Sequence, residues 1–551
     1  MSCVPALATV PEDLSVLRSI GQAHLAEGRF GEAISAFEAG LRTLYDVADG
    51  ARPAAIVADL HACLANACLS GGRFYAAADN YKAALRLMPQ LTGCWCNLGS
   101  ALLQMGQPQD AMSAYLQALA LSPDHWPSRT NLVQAMLSTG QPVIAKALLL
   151  EMAAERPHDA RLQHELGKVC YQLKELEAAE AHFTKAVALD TGAGESQYWI
   201  GAIRQEQGED QAAAAAYLKA AAMQPVIRRP ATRPPAAFRA LVLQAPFGGN
   251  TPAEYLLEGA GYDVDILALL PSLDLATLLA TLAPGDYQLI INLVSDADQA
   301  GVSLTMAAEL VERLGLPVVN DPRRVANTTR EATASQLAAL DGCRCPRTIR
   351  LAAGGDRSPG ALARLLPFDF PVLARVAGTH GGDLFERVDG IAGLARFLDQ
   401  HAVSDCYLID YVDYRSVDGR FRKYRFIFAG EAALPYHLAI GDDWKLHRDA
   451  TAMEDHPWMM EEEEAFLRDP SAVFGEAQMQ ALHEIRRRIG LDYFGIDCAL
   501  DAEGRLLVFE VNASMLVHGE PEYGRLAYKE LHAAEIKQAF EALLAQKAGR
   551  A

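Results

Sequence analysis

The stretch GIDCALDAEGRLLVFEVNAS, residues 495–514, sets Asp497, Glu510 and Asn512 among side chains that are otherwise mostly apolar. Burying a carboxylate is costly unless it is paired, hydrogen-bonded or bound to a metal. DAEG, residues 501–504, is a turn signal between two apolar runs, so the stretch predicts a β-hairpin. Folding at that turn brings Asp497 back roughly opposite Glu510. Glu510 and Asn512 are two apart and share a strand face. Three oxygen donors then converge on one side of the hairpin. Hard oxygen donors suit Mg²⁺, which keeps waters and binds beside nucleotide phosphates. A hydrogen-bonded Asp–Asn arrangement at a sheet edge is the other reading.

Upstream, RFRKYRFIF puts Lys423 and Arg425 on one strand face and Arg422 on the other. They belong either to a solvated edge with protective charges or to a site that holds anions. FPVLARVAGTHGGDLFERV predicts strand, loop, strand. Gly378, Gly381 and Gly382 in the loop suit either a tight hairpin or a flexible cover over phosphates. In PYHLAIGDDWKLH, His437, Trp444 and His447 follow the cationic strand. They read as packing or surface residues, or as the wall of a substrate pocket, and so does His518.

D-x₁₂-E-x-N on a terminal hairpin, after a strand and glycine loop, resembles the ATP-grasp superfamily. D-alanine–D-alanine ligase, glutathione synthetase and the ribosomal-protein glutamate ligases belong to it. The resemblance covers roughly residues 238–545, and FEVNAS with Asp497 at its distance is its most specific element. Strands alternating with helices over 238–324, from FRALVLQ through QLIINLV and SLTMAAELVERLG to LPVVN, indicate an α/β region with a mainly parallel sheet. The resemblance makes the α+β part over 325–551 the nucleotide- and metal-binding domain. It implies Mg²⁺, one or two ions, held by Asp497, Glu510 and Asn512, with Mn²⁺ as an alternative. It implies ATP with adenine beside YLIDYVD, residues 407–413: Asp410 ends the strand, Tyr411 and Val412 offer backbone hydrogen bonds, and Asp413 reaches the ribose. Arg375 and Arg330 would hold phosphates, Gly381 and Gly382 would close as a lid, and Arg425 with Lys423 would stabilise an acyl phosphate. Family members usually carry lysines where this chain has Arg330 and Arg375. Charge is kept, but a planar fork replaces a point charge. The activity implied is joining a carboxylate to an amine with ATP. Nucleotide binding without ligation and phosphotransfer without ligation are the rivals.

The first half reads differently. Stepping from Trp95 by 34 residues meets His61, Arg129, Gln163 and Gln197. Four residues after each lie Ala65, Gly99, Val133, Gly167 and Gly201. A second small position repeats as Ala77, Ala111, Ala145, Ala179 and Ala213, and a large one as Tyr81, Tyr115, Leu149, Phe183 and Tyr217. This resembles the tetratricopeptide repeat at its characteristic period. Small residues let paired helices approach, and bulky ones fill the space beside them. With a copy at Ile20, Gly21, Ala33 and Phe37, about six repeats form an all-α solenoid over 1–225. Such stacks commonly bind a peptide or protein, and Asn97 with Asn131 are the candidate contacts. VIRRPATRPPAA, residues 226–237, is expected to be a semi-rigid linker.

Composition narrows the partners. The chain has 551 residues, enough for several cores, and a formal net charge of −20. Such acidity opposes nucleic acid and anionic membranes. The ten cysteines include no C-x-x-C pair, which favours reduced core thiols. No signal-peptide pattern opens the sequence and no run is long enough to span a bilayer, so a cytoplasmic protein is expected.

Overall fold

The computed structural model describes residues 12–46, 53–232, 235–283, 285–379, 382–446, 453–520 and 524–550. The chain forms two compact units, one of residues up to Gln224 and one of residues from Pro225 onward, apart from 233–235.

The first unit is built of helix pairs: α1 (Glu12–Ala26) with α2 (Phe30–Tyr45), α3 (Ala54–Ser70) with α4 (Phe74–Leu87), and α5 (Thr92–Gln104) with α6 (Pro108–Leu121). They continue with α7 (Trp126–Ser138) and α8 (Pro142–Glu155), α9 (Ala160–Gln172) and α10 (Leu176–Leu189), then α11 (Gly194–Glu206) and α12 (Asp210–Met223). Volume exchange sets the packing inside a pair. A Cβ on Gly99 would sit 2.6 Å from the Tyr115 ring, and one on Gly167 2.7 Å from the Phe183 ring. Where Val133 replaces the small residue, the matching large position carries Leu149 rather than an aromatic ring, and both are buried. The irregular first spacing is taken up partly by length, since α2 has 16 residues and α3 has 17, against 13 for α5.

The turn inside each pair needs a left-handed residue. Gly72, Gly106, Gly140 and Gly208 hold it with φ of 72°, 72°, 70° and 78°. The corresponding residue of the fifth pair is Lys174, at φ 61°. A side chain there costs about 1–2 kcal/mol, partly offset by the entropy a glycine loses on folding, roughly 0.5–1 kcal/mol. Lys174→Gly is therefore expected to stabilise the repeats by roughly 0.5–1 kcal/mol, measured as a higher denaturant midpoint. A fall would show that the exposed Lys174–Glu206 pair matters more than the backbone.

The second unit opens with β1 (Val226–Arg229), β2 (Arg239–Gln244), α13 (Glu254–Leu257), β3 (Asp263–Ala268), α14 (Leu275–Leu282), β4 (Leu289–Asn292), α15 (Gly301–Leu314) and β5 (Val318–Val319). Their sheet runs β1-β3-β2-β4-β5 and is parallel except for β1. The start of the expected linker is thus an edge strand, antiparallel to β3. The Ala231 amide also donates to Asp263. Backbone pairing wins over the Pro/Arg composition, because Pro230 falls just after the strand.

After α16 (Pro322–Val325), α17 (Arg330–Leu337) and β6 (Cys343–Arg344) comes a four-stranded antiparallel layer. It contains β7 (Thr348–Leu351), α18 (Pro359–Leu365), β8 (Val372–Val376), β9 (Phe385–Val388), α19 (Ile391–Gln400) and β10 (Cys406–Asp410). Its order is β7-β10-β8-β9. The last sheet, β12-β11-β13-β14-β6, holds β11 (Phe421–Ala429), β12 (Ala432–Gly441), β13 (Tyr493–Leu500) and β14 (Leu506–Asn512). Helices α20 (Pro457–Arg468), α21 (Glu476–Ile489) and α22 (Tyr528–Lys547) complete the unit.

Alternation along β11 decides which face meets the core. Tyr424, Phe426 and Phe428 join one hydrophobic cluster with Phe466, Leu482 and Ile485, and the Phe428 and Phe494 rings stack at 4.5 Å. Lys423 and Arg425 are thereby turned to the opposite face.

Candidate functional site

Asp497 on β13 pairs in register with Arg425 on β11 and with Glu510 on β14. A β-bulge makes this alignment possible. Cys498 pairs with Val508 while Asp497 pairs with Glu510, so Phe509 is an extra residue on β14. Strict alternation would put Glu510 on the face of Leu506 and Val508, which lie in the core. The bulge reverses the parity and sends Glu510 and Asn512 to the face of Asp497.

The buried carboxylates are ion-paired. Arg425 grips Asp497 with both prongs of its fork, Nε to Oδ1 at 2.7 Å and Nη2 to Oδ2 at 3.0 Å. Lys423 Nζ adds a contact to Oδ2 at 3.2 Å. Arg330, at the start of α17, reaches Glu510 Oε2 at 3.0 Å. Asn512 donates to Glu510 Oε1 at 3.1 Å, and its Oδ1 accepts from the amide and hydroxyl of Ser514. Burial alone would raise the pKa of Asp497. Arg425 and Lys423 outweigh it and hold the carboxyl below its ordinary range. Glu510 is lowered in the same way, with burial overcome by Arg330 and Arg375.

Arg375 on β8 is 6% exposed and makes no ion pair among the described residues. It donates instead to the Thr379 hydroxyl and carbonyl. Burial, and then the charge of Arg330, pull it down to about 10. Arg375 lines a cavity together with Arg330 and Glu510.

That cavity has a volume of about 570 Å³. It collects Arg330, Arg375, Lys423, Arg425, Asp497, Glu510 and Asn512. Tyr411, Val412 and Trp444, with Leu373, Ile409 and Phe509, give it an apolar slot, and Asp410 and Gly382 also line it. Asp410 is held by Arg347 at 3.2 Å. Gly249 lines the cavity, whereas its neighbour Gly248 packs on Ala300.

Asp413 does not line the cavity; it forms a two-pronged pair with Arg415, which satisfies it locally. Gly381 and His447 lie outside the described residues. Asn97 and Asn131 each donate to the preceding repeat, Asn97 to Asn66 at 3.0 Å and Asn131 to Ser100 at 3.2 Å. These bonds tie neighbouring repeats together.

Lys445 was not singled out in the sequence. It crosses to the glycine loop, where its Cε would lie 2.9 Å from a Cβ on Gly382, and its Nζ reaches the Phe385 carbonyl at 3.2 Å. Only the neighbouring Trp444, edge-on to Phe385 at 5.2 Å, hinted that this loop turns inward. Glu463 and Lys529, discussed below, were hidden among solvated helix charges.

The donor set of Asp497, Glu510 and Asn512 has the hard oxygens that Mg²⁺ prefers. Among the described residues there is no cluster of three or more His, Cys, Asp or Glu that could hold a metal. Two carboxylates and an amide therefore fit an ion that brings phosphate or water ligands with it, rather than a closed protein cage. Asn512 would have to turn its amide to offer Oδ1.

Two family models, both for the tetratricopeptide repeat, match residues 102–169 and 160–191. The amino-terminal region is therefore a tetratricopeptide-repeat solenoid. Repeats of this class point to a peptide or protein partner. Among solved structures, MamA from Desulfovibrio magneticus RS-1 is 24% identical, covering 30% of this chain and 94% of its own at a TM-score of 0.29. PilF from Pseudomonas aeruginosa is 20% identical over 39% of this chain and 93% of its own, at 0.31. YrrB, described as a TPR protein with an unusual peptide-binding site, is 19% identical over 30% and 87%, at 0.28. No curated protein matches the chain. No helix among the described residues is long and apolar enough to cross a membrane.

The depressed carboxyls give a pH signature. A carboxyl whose pKa is lowered by folding stabilises the fold above its unfolded value, and that stability is lost as pH falls through the folded value. The second unit is expected to weaken as pH drops below about 4, the ordinary carboxylate value. Asp497→Asn should cost about 3–5 kcal/mol at neutral pH by stranding Arg425 and Lys423. It should also flatten the acid limb of a plot of denaturant midpoint against pH. An unchanged acid limb would place the titration elsewhere.

Proposed function

We propose that the second unit is an ATP-grasp enzyme, an ATP-dependent carboxylate–amine ligase that forms an amide or peptide bond through an acyl phosphate. The observation that carries this reading is Arg375, a buried cation with no ion pair among the described residues, in a cavity that also has an apolar slot and an acidic hairpin. A purine in the slot, against Tyr411, Val412 and Trp444, would direct its phosphates toward Arg375 and Arg330. Asp497, Glu510 and Asn512 would hold Mg²⁺, or Mn²⁺ in its place, which supplies charge neutralisation on the transferring phosphoryl group. Arg425 and Lys423 would stabilise the acyl phosphate formed from the substrate carboxylate. Gly382 and Lys445 belong to the cover that keeps water from that hydrolysable species. The solenoid would bring a peptide or protein partner to the enzyme, in the cytoplasm.

A second reading is a nucleotide-binding scaffold whose working part is the repeats. It is favoured by the way Asp497 and Glu510 are already neutralised by the chain's own Arg425, Lys423 and Arg330.

Calorimetric titration of ATP, with and without Mg²⁺, separates the readings. The ligase reading expects binding that needs Mg²⁺ and is lost in Glu510→Ala. It also expects Arg375→Ala to weaken ATP by about 10- to 100-fold, the worth of a charge-assisted contact of about 1.5–3 kcal/mol. Glu510→Ala and Asn512→Ala should each abolish Mg²⁺-dependent ADP release while leaving the protein folded. ADP release retained in both variants would overturn the assignment.

A further inference from the structure

The row of paired residues does not stop at Arg425. On the next strand, β12, His437 is the register partner of Arg425. His437, Arg425, Asp497 and Glu510 therefore stand side by side on four neighbouring strands, spaced by about 4.8 Å per strand. His437 lines a second cavity of about 250 Å³. This cavity shares Lys423, Arg425, Asp497 and Leu516 with the nucleotide-sized one, and its other walls include Tyr436, His518, Glu520 and Lys529.

One nitrogen of His437 is firmly assigned. Its Nδ1 lies 2.5 Å from Oε1 of Glu463 on α20. Glu463 is 1% exposed and also accepts from the Leu438 amide at 3.0 Å, from Tyr528 at 2.5 Å and from Lys529 at 2.9 Å. Four donors keep this carboxylate charged. Burial would raise its pKa, but the His437 hydrogen bond and the charges around it bring it down to about 2. A charged carboxylate only accepts, so Nδ1 carries the proton and donates. Lys529 Nζ, 3.2 Å from the same Nδ1, therefore spends its protons on Glu463.

The other nitrogen, Nε2, is buried and has no hydrogen-bond partner among the described residues. It is an acceptor whose lone pair none of them satisfies, a situation that costs about 1–3 kcal/mol. The cations around it cannot supply the missing donor without leaving their own partners: Arg425 and Lys423 hold Asp497, and Lys529 holds Glu463. Burial, opposed by Glu463, also lowers the pKa of His437, so the ring is neutral and able to accept. A carboxylate that orients a neutral imidazole by its Nδ1–H is the arrangement that general-base histidines use.

We infer that the second cavity binds the amine substrate, a small primary amine of amino-acid size, and that His437 Nε2 is the base that takes its proton. The inference rests on the ligase reading above for its chemistry. The ammonium gives one proton to Nε2, which frees the nitrogen lone pair. That pair forms the C–N bond to the acyl phosphate held at Arg425 and Lys423. The C–O bond to phosphate breaks, and phosphate leaves with the electron pair and takes the second amine proton. Glu463 stays ionised throughout and holds the imidazolium that forms. Glu520, in the cavity wall, is paired with His518 at 3.2 Å, so the carboxylate there is shared with a histidine that an ammonium would have to join.

The test uses the full chain with Mg²⁺ and a non-hydrolysable ATP analogue. Each standard amino acid, and ethanolamine, is titrated by calorimetry into the wild type and into His437→Gln, which keeps a donor for Glu463 but lacks the imidazole. The expected result is that at least one amine binds and that His437→Gln weakens it about tenfold or more, while analogue affinity is unchanged. In the wild type, the ¹⁵N resonance of His437 Nε2 should move on adding that amine, a readout that needs no variant to fold. If the analogue binds and no amine does, or if an amine binds without moving Nε2, the inference is overturned and the ligase reading survives. If the analogue fails to bind, the ligase reading falls, and the same two readouts still decide whether an amine sits on His437.

Discussion

The second unit is organised around one constraint, the need to neutralise a line of charges set, buried or half-buried, across a sheet. Arg425, Asp497 and Glu510 stand on adjacent strands, with Arg330 closing the line from α17 and His437 extending it on β12. Each carboxylate is costly to bury alone and is tolerable only because a cation faces it. The opposite face of the same strands is occupied by Tyr424, Phe426, Phe428, Ile496 and Cys498, which anchor the sheet on α20 and α21. That apolar face holds the charged face in position.

The cavity above the line has an uneven charge distribution. Around the hairpin, Arg330, Arg375, Lys423 and Arg425 face Asp497 and Glu510. Three of these cations are spent on the two acids, and Arg375 meets a hydroxyl, a carbonyl and the Phe385 ring instead. The imbalance leaves a net positive charge beside the acidic hairpin, which favours anions over cations at that point of the cavity.

The repeats follow a simpler rule. Glycines face aromatic rings inside the pairs, and left-handed residues make the turns between their helices. This pattern repeats at a fixed period, so it is legible without a structure. The contacts of Asn97 and Asn131 are not, because a polar residue at a repeated position serves a ligand or a neighbouring repeat equally well. Here both point to the neighbouring repeat. The surface that would take a partner is not marked by them.

The sequence by itself determined the solenoid, the alternation that builds a mainly parallel first sheet, and the hairpin that carries Asp497, Glu510 and Asn512. All three depend on local periodicity and turn chemistry. It also marked Lys423 and Arg425 as sharing a face, because that follows from alternation alone. Only the tertiary structure decided the rest. The bulge at Phe509 breaks the alternation and reverses the face of Glu510, and nothing in LLVFEVN announces it. Lys445, Glu463 and Lys529 are ordinary charges in sequence, and become site residues because loops and helices distant in the chain fold onto one sheet. Asp413 drops out because Arg415, two residues away, satisfies it first. Periodicity fixes which way a side chain points along its own element; only long-range packing fixes what it then meets.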